Sequence, residues 1–235
     1  MTNILVTGTS KGIGQATVAE LRRRGANVVG HSTHGGEDRI AADLSVPGEA
    51  DRLWDAALER LGGHIDVLVN NAGVFTDAPL AGDPEAFRAE WARTMQINLF
   101  AAADLSRRAI LHFQSRPGGG RLVNLGSRAA HRGDGPPNAH YAASKAGMIA
   151  MTKTWARAHA HEGIYCFSIA PGFVMTGMAG EYLATRGGAG VLQDIPLGRV
   201  AETEEVAQVI AFACLDAPPS MTGATLDING ASYVR

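Results

Sequence analysis

Two cysteines in 235 residues are too few for a disulfide framework. Each lies in an apolar segment, Cys166 in Ile164-Tyr165-Cys166-Phe167 and Cys214 in Val209-Ile210-Ala211-Phe212-Ala213-Cys214, which reads as a reduced thiol in a core. No stretch approaches the roughly 18 consecutive apolar residues of a membrane span. Met1 runs almost at once into an apolar strand, leaving no room for a signal peptide, so a cytoplasmic location is expected. Charge of one sign is lacking too: 21 Lys and Arg against 23 Asp and Glu give a formal net charge of −2. Neither nucleic acid nor an anionic membrane is then an expected partner. Internal repeats are absent. What remains, 46% hydrophobic and 19% charged residues, suits one globular domain over 1–235 with a single large core.

Short apolar runs alternate with helical patterns along the chain, the sequence form of repeated βαβ units and a parallel sheet covered on both faces. Strands are expected at 3–8, 27–31, 39–42, 65–70, 120–126, 164–170 and 224–229, and helices at 12–24, 47–61, 84–92, 94–115, 140–161 and 202–215. Gly-Gly and Pro-Pro clusters at 117–120, 135–137 and 187–190 read as loops. The fold class is therefore α/β, a doubly wound, Rossmann-like, seven-stranded parallel sheet. Ligands of such sheets bind outside the carboxyl ends of the strands.

Two features there carry chemistry. Tyr141 and Lys145 stand four residues apart near the start of a helix, so their side chains share one face, about 5–6 Å apart at Cβ. A phenol with an ordinary pKa of about 10 is a poor acid or base at neutral pH, but a nearby ammonium favours the phenolate and lowers that value. The second feature is Ile4-Leu5-Val6 running into Thr7-Gly8-Thr9-Ser10-Lys11-Gly12-Ile13-Gly14 and then a helix. Strand, glycine turn and helix make a phosphate cradle: Gly8 forms the tight turn, Gly12 admits the pyrophosphate, and Gly14 packs helix against strand.

With the residues between them, these features resemble one family throughout, the short-chain dehydrogenase/reductases in their compact form. Thr7 to Gly14 matches that family's Thr-Gly-x-x-x-Gly-Ile-Gly, and Asn70-Asn71-Ala72-Gly73 its Asn-Asn-Ala-Gly. Asn98, Ser127, the Tyr141 and Lys145 pair, and Pro171-Gly172 followed by Thr176 fall in the family's order over residues 3 to 230. The resemblance implies a catalytic tetrad of Asn98, Ser127, Tyr141 and Lys145. In it, hydride passes between a nicotinamide and a carbonyl carbon, Ser127 and Tyr141 hydrogen-bond the carbonyl oxygen, and Tyr141 is the acid in reduction and the base in oxidation. Lys145 holds the nicotinamide ribose, and Asn98 positions a water for proton relay. Bringing the phenol from about 10 to near 7 corresponds to about 4 kcal/mol, shared between Lys145 and the oxidised nicotinamide. A homo-tetramer or homo-dimer is expected on the same basis, with no metal site.

The implied cofactor contacts are Gly8, Ser10, Lys11, Gly12, Ile13 and Gly14 in the turn, Ser32 and Thr33 after the second strand, and Asp43 and Leu44 after the third. Asn71, Ala72, Gly73, Tyr141, Lys145, Pro171, Gly172, Val174 and Thr176 complete the set. An acidic residue ending the second strand would bond the ribose hydroxyls of NAD, whereas basic or hydroxyl groups accommodate the NADP phosphate. The chain has His31-Ser32-Thr33-His34 there, no carboxylate before Glu37, and Lys11 in the cradle. NADP(H) is favoured; a solvated Lys11 with NAD(H) is the alternative.

The substrate is read as a small carbonyl compound or alcohol, under a lid near 176–196. Phe75, Phe173, Met175, Met178, Tyr182 and Leu183 are candidates for an apolar pocket or for ordinary packing. Arg128, His131 and Arg132 either hold an anionic group or form a solvated basic loop. The 3-oxoacyl-acyl-carrier-protein reductases are the subgroup most alike, but Glu162 stands where they carry an arginine that helps bind the acidic carrier, and Asn229-Gly230-Ala231 replaces Asp-Gly-Gly. A carrier-protein reductase is therefore the second reading. A non-catalytic NAD(P)-sensing protein of the same fold is a third, disfavoured by the intact tetrad.

Overall fold

The computed structural model describes residues 1–176 and 188–235. Seven strands form one all-parallel sheet: β1 (Asn3–Val6), β2 (Asn27–Ser32), β3 (Arg39–Ala41), β4 (Val67–Asn70), β5 (Gly120–Leu125), β6 (Ile164–Pro171) and β7 (Thr225–Ile228). Their spatial order is β3-β2-β1-β4-β5-β6-β7. The order reverses between β1 and β4, paired through Ile4↔Val67 and Val6↔Val69, so the crevice for a ligand opens at the carboxyl ends of those two strands.

The helices follow from the pattern of the strands. Successive residues of a strand face opposite ways, so Ile4 and Val6 join one apolar layer and Leu5 the other. Val67 and Val69 divide from Leu68 in the same way. One layer is closed by α1 (Gly12–Arg23) and α8 (Thr203–Leu215), the other by α2 (Glu49–Arg60), α4 (Ala101–Gln114) and α6 (Ala139–His159). In chain order α3 (Pro84–Met95) precedes α4, α5 (Ala129–Arg132) precedes α6, and α7 (Gly188–Gln193) precedes α8. Cys166 and Cys214 lie buried in opposite layers as free thiols, with burial pushing Cys166 up to about 12.

Three sequence expectations are corrected. The helices expected at 84–92 and 94–115 are one run, α3 continuing through a π-helical turn, Gln96–Phe100, into α4. No residue there breaks a helix, and the wider turn carries Asn98 into the interior. Such turns gather at functional sites. The cluster at 187–190 is not all loop, since α7 starts at Gly188, and the cluster at 117–120 ends inside β5. The short α5 after Ser127 had no sequence signal.

Beneath the carboxyl ends of β4 and β5 runs a buried polar chain. Asn70 Nδ2 donates to Asn124 Oδ1 (2.8 Å) and to Ser106 Oγ (3.0 Å). Asn124 Nδ2 donates to Thr152 Oγ1 (2.8 Å), and the two hydroxyls donate onward to helix carbonyls of Ala102 and Met148. Two strands, α4 and α6 are thereby tied in one register. Asn124→Leu keeps the volume but strips partners from Asn70 and Thr152. It should cost about 2 kcal/mol, lowering the melting temperature by roughly 4–8 °C for a chain of this size. An unchanged melting temperature in thermal unfolding would show that the chain of bonds adds nothing.

Candidate active site

The cradle is built by close approach. Gly8 and Gly12 have φ of +70° and +59°, which favours glycine. A Cβ on Gly14 would stand 2.1 Å from Gly8 O, and one on Gly8 would stand 2.7 Å from Ala72 Cα, so neither turn nor helix tolerates a side chain there. Thr7 and Asn71 brace the turn across the crevice. Thr7 Oγ1 accepts from the N–H groups of Asn71 and Ala72 (both 3.0 Å), and Asn71 Nδ2 donates to the carbonyls of Thr7 (2.8 Å) and Gly8 (2.9 Å).

Above the turn lies a cavity of about 450 Å³. Its walls include Gly8, Ser10, Lys11, Gly12, Ile13 and Gly14 from the turn and Ser32, Thr33, Asp43 and Leu44 from the ends of β2 and β3. Asn71, Ala72, Gly73 and Thr176 close it. Thr176 Cγ2 would lie 3.3 Å from a Cβ on Gly12, which puts the residue directly over the cradle. Pro171, Gly172 and Val174 are not on this wall. They lead into it: Gly172 N–H donates to Ile228 O (2.9 Å), and Val174 pairs with Ala201. Exposed N–H groups at a helix start beside a left-handed glycine turn suit a pyrophosphate, so these residues fit a dinucleotide.

Sequence reasoning missed part of this wall. Arg93, Ile97, Val74 and Ser45 also line the cavity, and so does His31. His31 is buried, its Nδ1 accepting from Gly8 N–H (3.2 Å) while Nε2 lies 2.9 Å from Ala42 O. Those partners require the neutral Nε2–H tautomer, and burial lowers the imidazole pKa accordingly. It is a wedge between the turn and the end of β3. Ser32 is largely committed as well, donating to Gly35 O (3.1 Å), which leaves Thr33 as the exposed hydroxyl. Asp43 accepts from the Ser45 hydroxyl (2.7 Å) and amide (3.0 Å), which hold its carboxyl below the usual range.

The four tetrad candidates converge past the other end of the crevice. Asn98 is fully buried, with Oδ1 accepting from Val74 N–H (2.8 Å) and Nδ2 donating to Val74 O (3.0 Å) and Ser144 Oγ (3.2 Å). Ser144 passes this on to the Tyr141 carbonyl (2.7 Å). A Cβ on Gly73 would lie 3.3 Å from Asn98 Oδ1 and 3.4 Å from Lys145 Nζ, so these three residues meet. Ser127 is buried, its Oγ accepting from Ala129 N–H (3.1 Å), and it works to lower the Tyr141 pKa. Phe75 stands edge-on to the Tyr141 ring at 4.8 Å. Phe173 lies under the Arg128 guanidinium and Met175 is exposed, whereas Met178, Tyr182 and Leu183 fall outside the described residues.

Protonation differs from the sequence expectation. Burial raises the Tyr141 pKa, with Ser127 opposing and the Asp134 carboxylate adding to the rise. Lys145 does not offset this. Its Nζ donates to Leu125 O (2.7 Å), 5.9 Å from the centre of the Tyr141 ring, and burial lowers its own pKa to about 8. Helical spacing puts the pair on one face, but Lys145 reaches under the ring to the end of β5.

A family model described as enoyl-(acyl carrier protein) reductase matches residues 8–231. The chain is 36% identical over 241 residues to the 3-oxoacyl-acyl-carrier-protein reductase of Haemophilus influenzae, covering 98% of this chain and 97% of that protein. The proteins of the same name from Escherichia coli K12 and Thermotoga maritima are 35% and 34% identical over 241 residues, covering 98% and 96% of this chain and 96% and 95% of theirs. Similarity of this extent, in a chain with the parallel sheet and glycine turn already described, has one meaning: the chain belongs to the short-chain dehydrogenase/reductase family of oxidoreductases.

Proposed function

We propose that this enzyme reduces a ketone or aldehyde at the expense of NADPH, with Tyr141 as the proton donor. The observation that carries this reading is the meeting of Asn98 and Lys145 at Gly73, on the wall of the dinucleotide cavity, with Tyr141 tied to Asn98 through Ser144 and its pKa raised by burial. A phenol that stays protonated at neutral pH is in the correct state to donate, and an alkoxide forming at the carbonyl oxygen is far more basic than a phenolate, so transfer runs downhill. A dinucleotide held by Gly8, Gly12, Asn71 and Thr176 would supply hydride to the carbonyl carbon. Ser127 and Tyr141 orient the oxygen and stabilise its developing charge. Lys145, anchored on Leu125, lies beside Gly73 on the cavity wall, where it would hold a nicotinamide ribose, and Asn98 fixes the Val74 backbone and α6 around it.

NADP(H) is preferred on the character of the wall. Lys11 and Thr33 are exposed on it, and Asp38, in the loop after β2, is already paired with Arg22 at 2.8 Å. The relatives' names make a 3-oxoacyl thioester a specific second reading of the substrate. Glu162 lies at the start of β6, the opposite end of the strand from the site, and accepts from Gln114 Nε2 (2.7 Å). An acidic carrier meets no arginine there. If carrier docking matters nonetheless, kcat/KM for a carrier-bound 3-oxoacyl group should far exceed that for a short thioester mimic and fall steeply with salt; equal values favour the small-molecule reading.

Tyr141→Phe should lower kcat by about 10²–10⁴-fold while NADPH binding, followed by fluorescence titration, stays nearly intact. Substantial residual turnover removes Tyr141 from proton transfer. In the same assay the reductive rate should decline as pH rises through about 8, where Lys145 loses its charge, with Tyr141 still protonated. A rate rising through that range contradicts both assignments.

Loss of a charge-assisted phosphate contact amounts to about 1.5–3 kcal/mol, so Lys11→Ala should weaken NADPH at least tenfold and leave NADH nearly unchanged. Thr33→Asp should move preference towards NADH. His31→Asp should not act this way, because that position is buried against Gly8 and Ala42 rather than facing a ribose. Equal loss of both cofactors in Lys11→Ala would make Lys11 a general part of the cradle.

A further inference from the structure

The loop after β4 reverses the usual arrangement at Phe75: its polar groups are bonded within the protein and an apolar ring faces out. The Thr76 hydroxyl donates to Glu90 Oε1, and Asn138 Nδ2 donates to Thr76 O and to Asp77 Oδ1 (both 2.9 Å). Ala78 is buried, with its N–H on Pro137 O (2.8 Å), and Val74 exchanges two hydrogen bonds with Asn98 (2.8 and 3.0 Å). Between them Phe75 is 46% exposed. The chain is thus fixed on either side of a ring that is held out to solvent.

A single apolar side chain at a protein surface is ordinary. This one differs in two respects. Gly73 and Val74 line the dinucleotide cavity, so Phe75 is the residue at which the loop leaves that wall. Its ring then meets the Tyr141 ring edge to face, with centres 4.8 Å apart and planes at 89°. A carbonyl oxygen accepting from the Tyr141 hydroxyl therefore brings one of its two substituents beside Phe75. The perpendicular rings form a right-angled corner, in which a flat group stacks on one plane while turning its edge to the other. A flexible acyl chain gains apolar contact there without that geometry.

We infer that Phe75 is a specificity-determining residue of the carbonyl site and that the substrate is an aryl ketone or aldehyde, its ring seated in the corner between Phe75 and Tyr141. This rests on the carbonyl-reduction reading above and deepens it. Hydride passes from NADPH to the carbonyl carbon and the Tyr141 proton to the oxygen, which yields a benzylic alcohol and NADP+, with Tyr141 reprotonated from solvent. Phe75 takes no part in either transfer. It selects the group that the carbonyl carries.

The test pairs acetophenone with cyclohexyl methyl ketone, which has the same carbon count and no aromatic ring, beside 2-octanone and a short 3-oxoacyl thioester, all with NADPH. From the unmodified enzyme to Phe75→Leu, the ratio of kcat/KM for acetophenone to that for cyclohexyl methyl ketone should fall by about two- to twelvefold, the worth of an aromatic pair beyond its buried area. The fall should lie in KM for acetophenone, and Phe75→Tyr, which keeps the ring, should retain the original ratio. Comparing ratios between enzymes cancels the intrinsic reactivity of each ketone. An unchanged ratio, or an equal loss of kcat for every substrate, would make Phe75 a prop for Tyr141 and overturn the inference. So would 2-octanone or the thioester surpassing acetophenone in the unmodified enzyme. Calorimetry of the NADPH-loaded enzyme with 1-phenylethanol and 1-cyclohexylethanol reads binding without reaction, since reduced cofactor accepts no hydride. Only the phenyl compound should bind more weakly in Phe75→Leu, again by about two- to twelvefold. If no carbonyl compound is turned over, the reduction reading fails and calorimetry alone decides the corner: 1-phenylethanol that does not bind, or binds Phe75→Leu equally well, refutes it.

Discussion

The brace between Thr7 and Asn71 is the contact on which the rest of this molecule depends. In a parallel sheet whose order reverses between β1 and β4, the ladder pairs these strands as far as Thr7 and Val69, and past that point their loops wind in opposite directions with a separation the ladder no longer sets. Four hydrogen bonds of 2.8–3.0 Å between Thr7, Gly8, Asn71 and Ala72 fix it. They also determine which residues can exist nearby, since Gly8 and Gly14 sit within the same contact and have no room for a Cβ. The loop after β4 is then carried towards Asn98 with its backbone already oriented. Cradle and carbonyl site are thus two ends of one rigid edge.

From that edge the constraint passes into α6 by backbone rather than by charge. Asn98, displaced inward by the π-helical turn, bonds Val74 on one side and Ser144 on the other, and Ser144 bonds the Tyr141 carbonyl. Tyr141 is therefore located by a chain of neutral hydrogen bonds, and its ionisation is left to burial, Ser127 and whatever binds. This separates geometry from protonation. Lys145 is bonded to a strand carbonyl rather than to the phenol, and burial raises the Tyr141 pKa.

Much of this was legible in the residues. The seven strands alternate in a way that assigns each side chain to a layer, and Gly8, Gly12 and Gly14 have spacing that only a turn of this kind needs. What escaped notice depends on side-chain direction and on partners distant in the chain. His31 reads as one more polar residue after β2, yet it is the wedge between Gly8 and Ala42, residues 23 and 11 positions away. Ser32 reads as a free hydroxyl and is bonded to Gly35. The spacing of Tyr141 and Lys145 predicts one face correctly but not which acceptor the ammonium chooses, because the Leu125 carbonyl comes from another element. A continuous helix with a π turn cannot be told from two helices by periodicity alone, since the extra residue per turn erases the phase.

The same division applies to the loop that follows Ser127. The buried chain Asn70–Asn124–Thr152 lies below the strand ends and joins only β4, β5, α4 and α6. The loop after Ser127 takes no part in it. That loop is held by its own short helix, by Arg128 N–H on Pro171, and by Arg132 on Asp194 and Ser232, contacts to the far side of the sheet. That loop is therefore held apart from the bonds that position Tyr141 and the cradle. In a sheet of this kind the strand interiors and the turn fix the chemistry, and the loops after β5 and β6 are free to choose the molecule on which it acts.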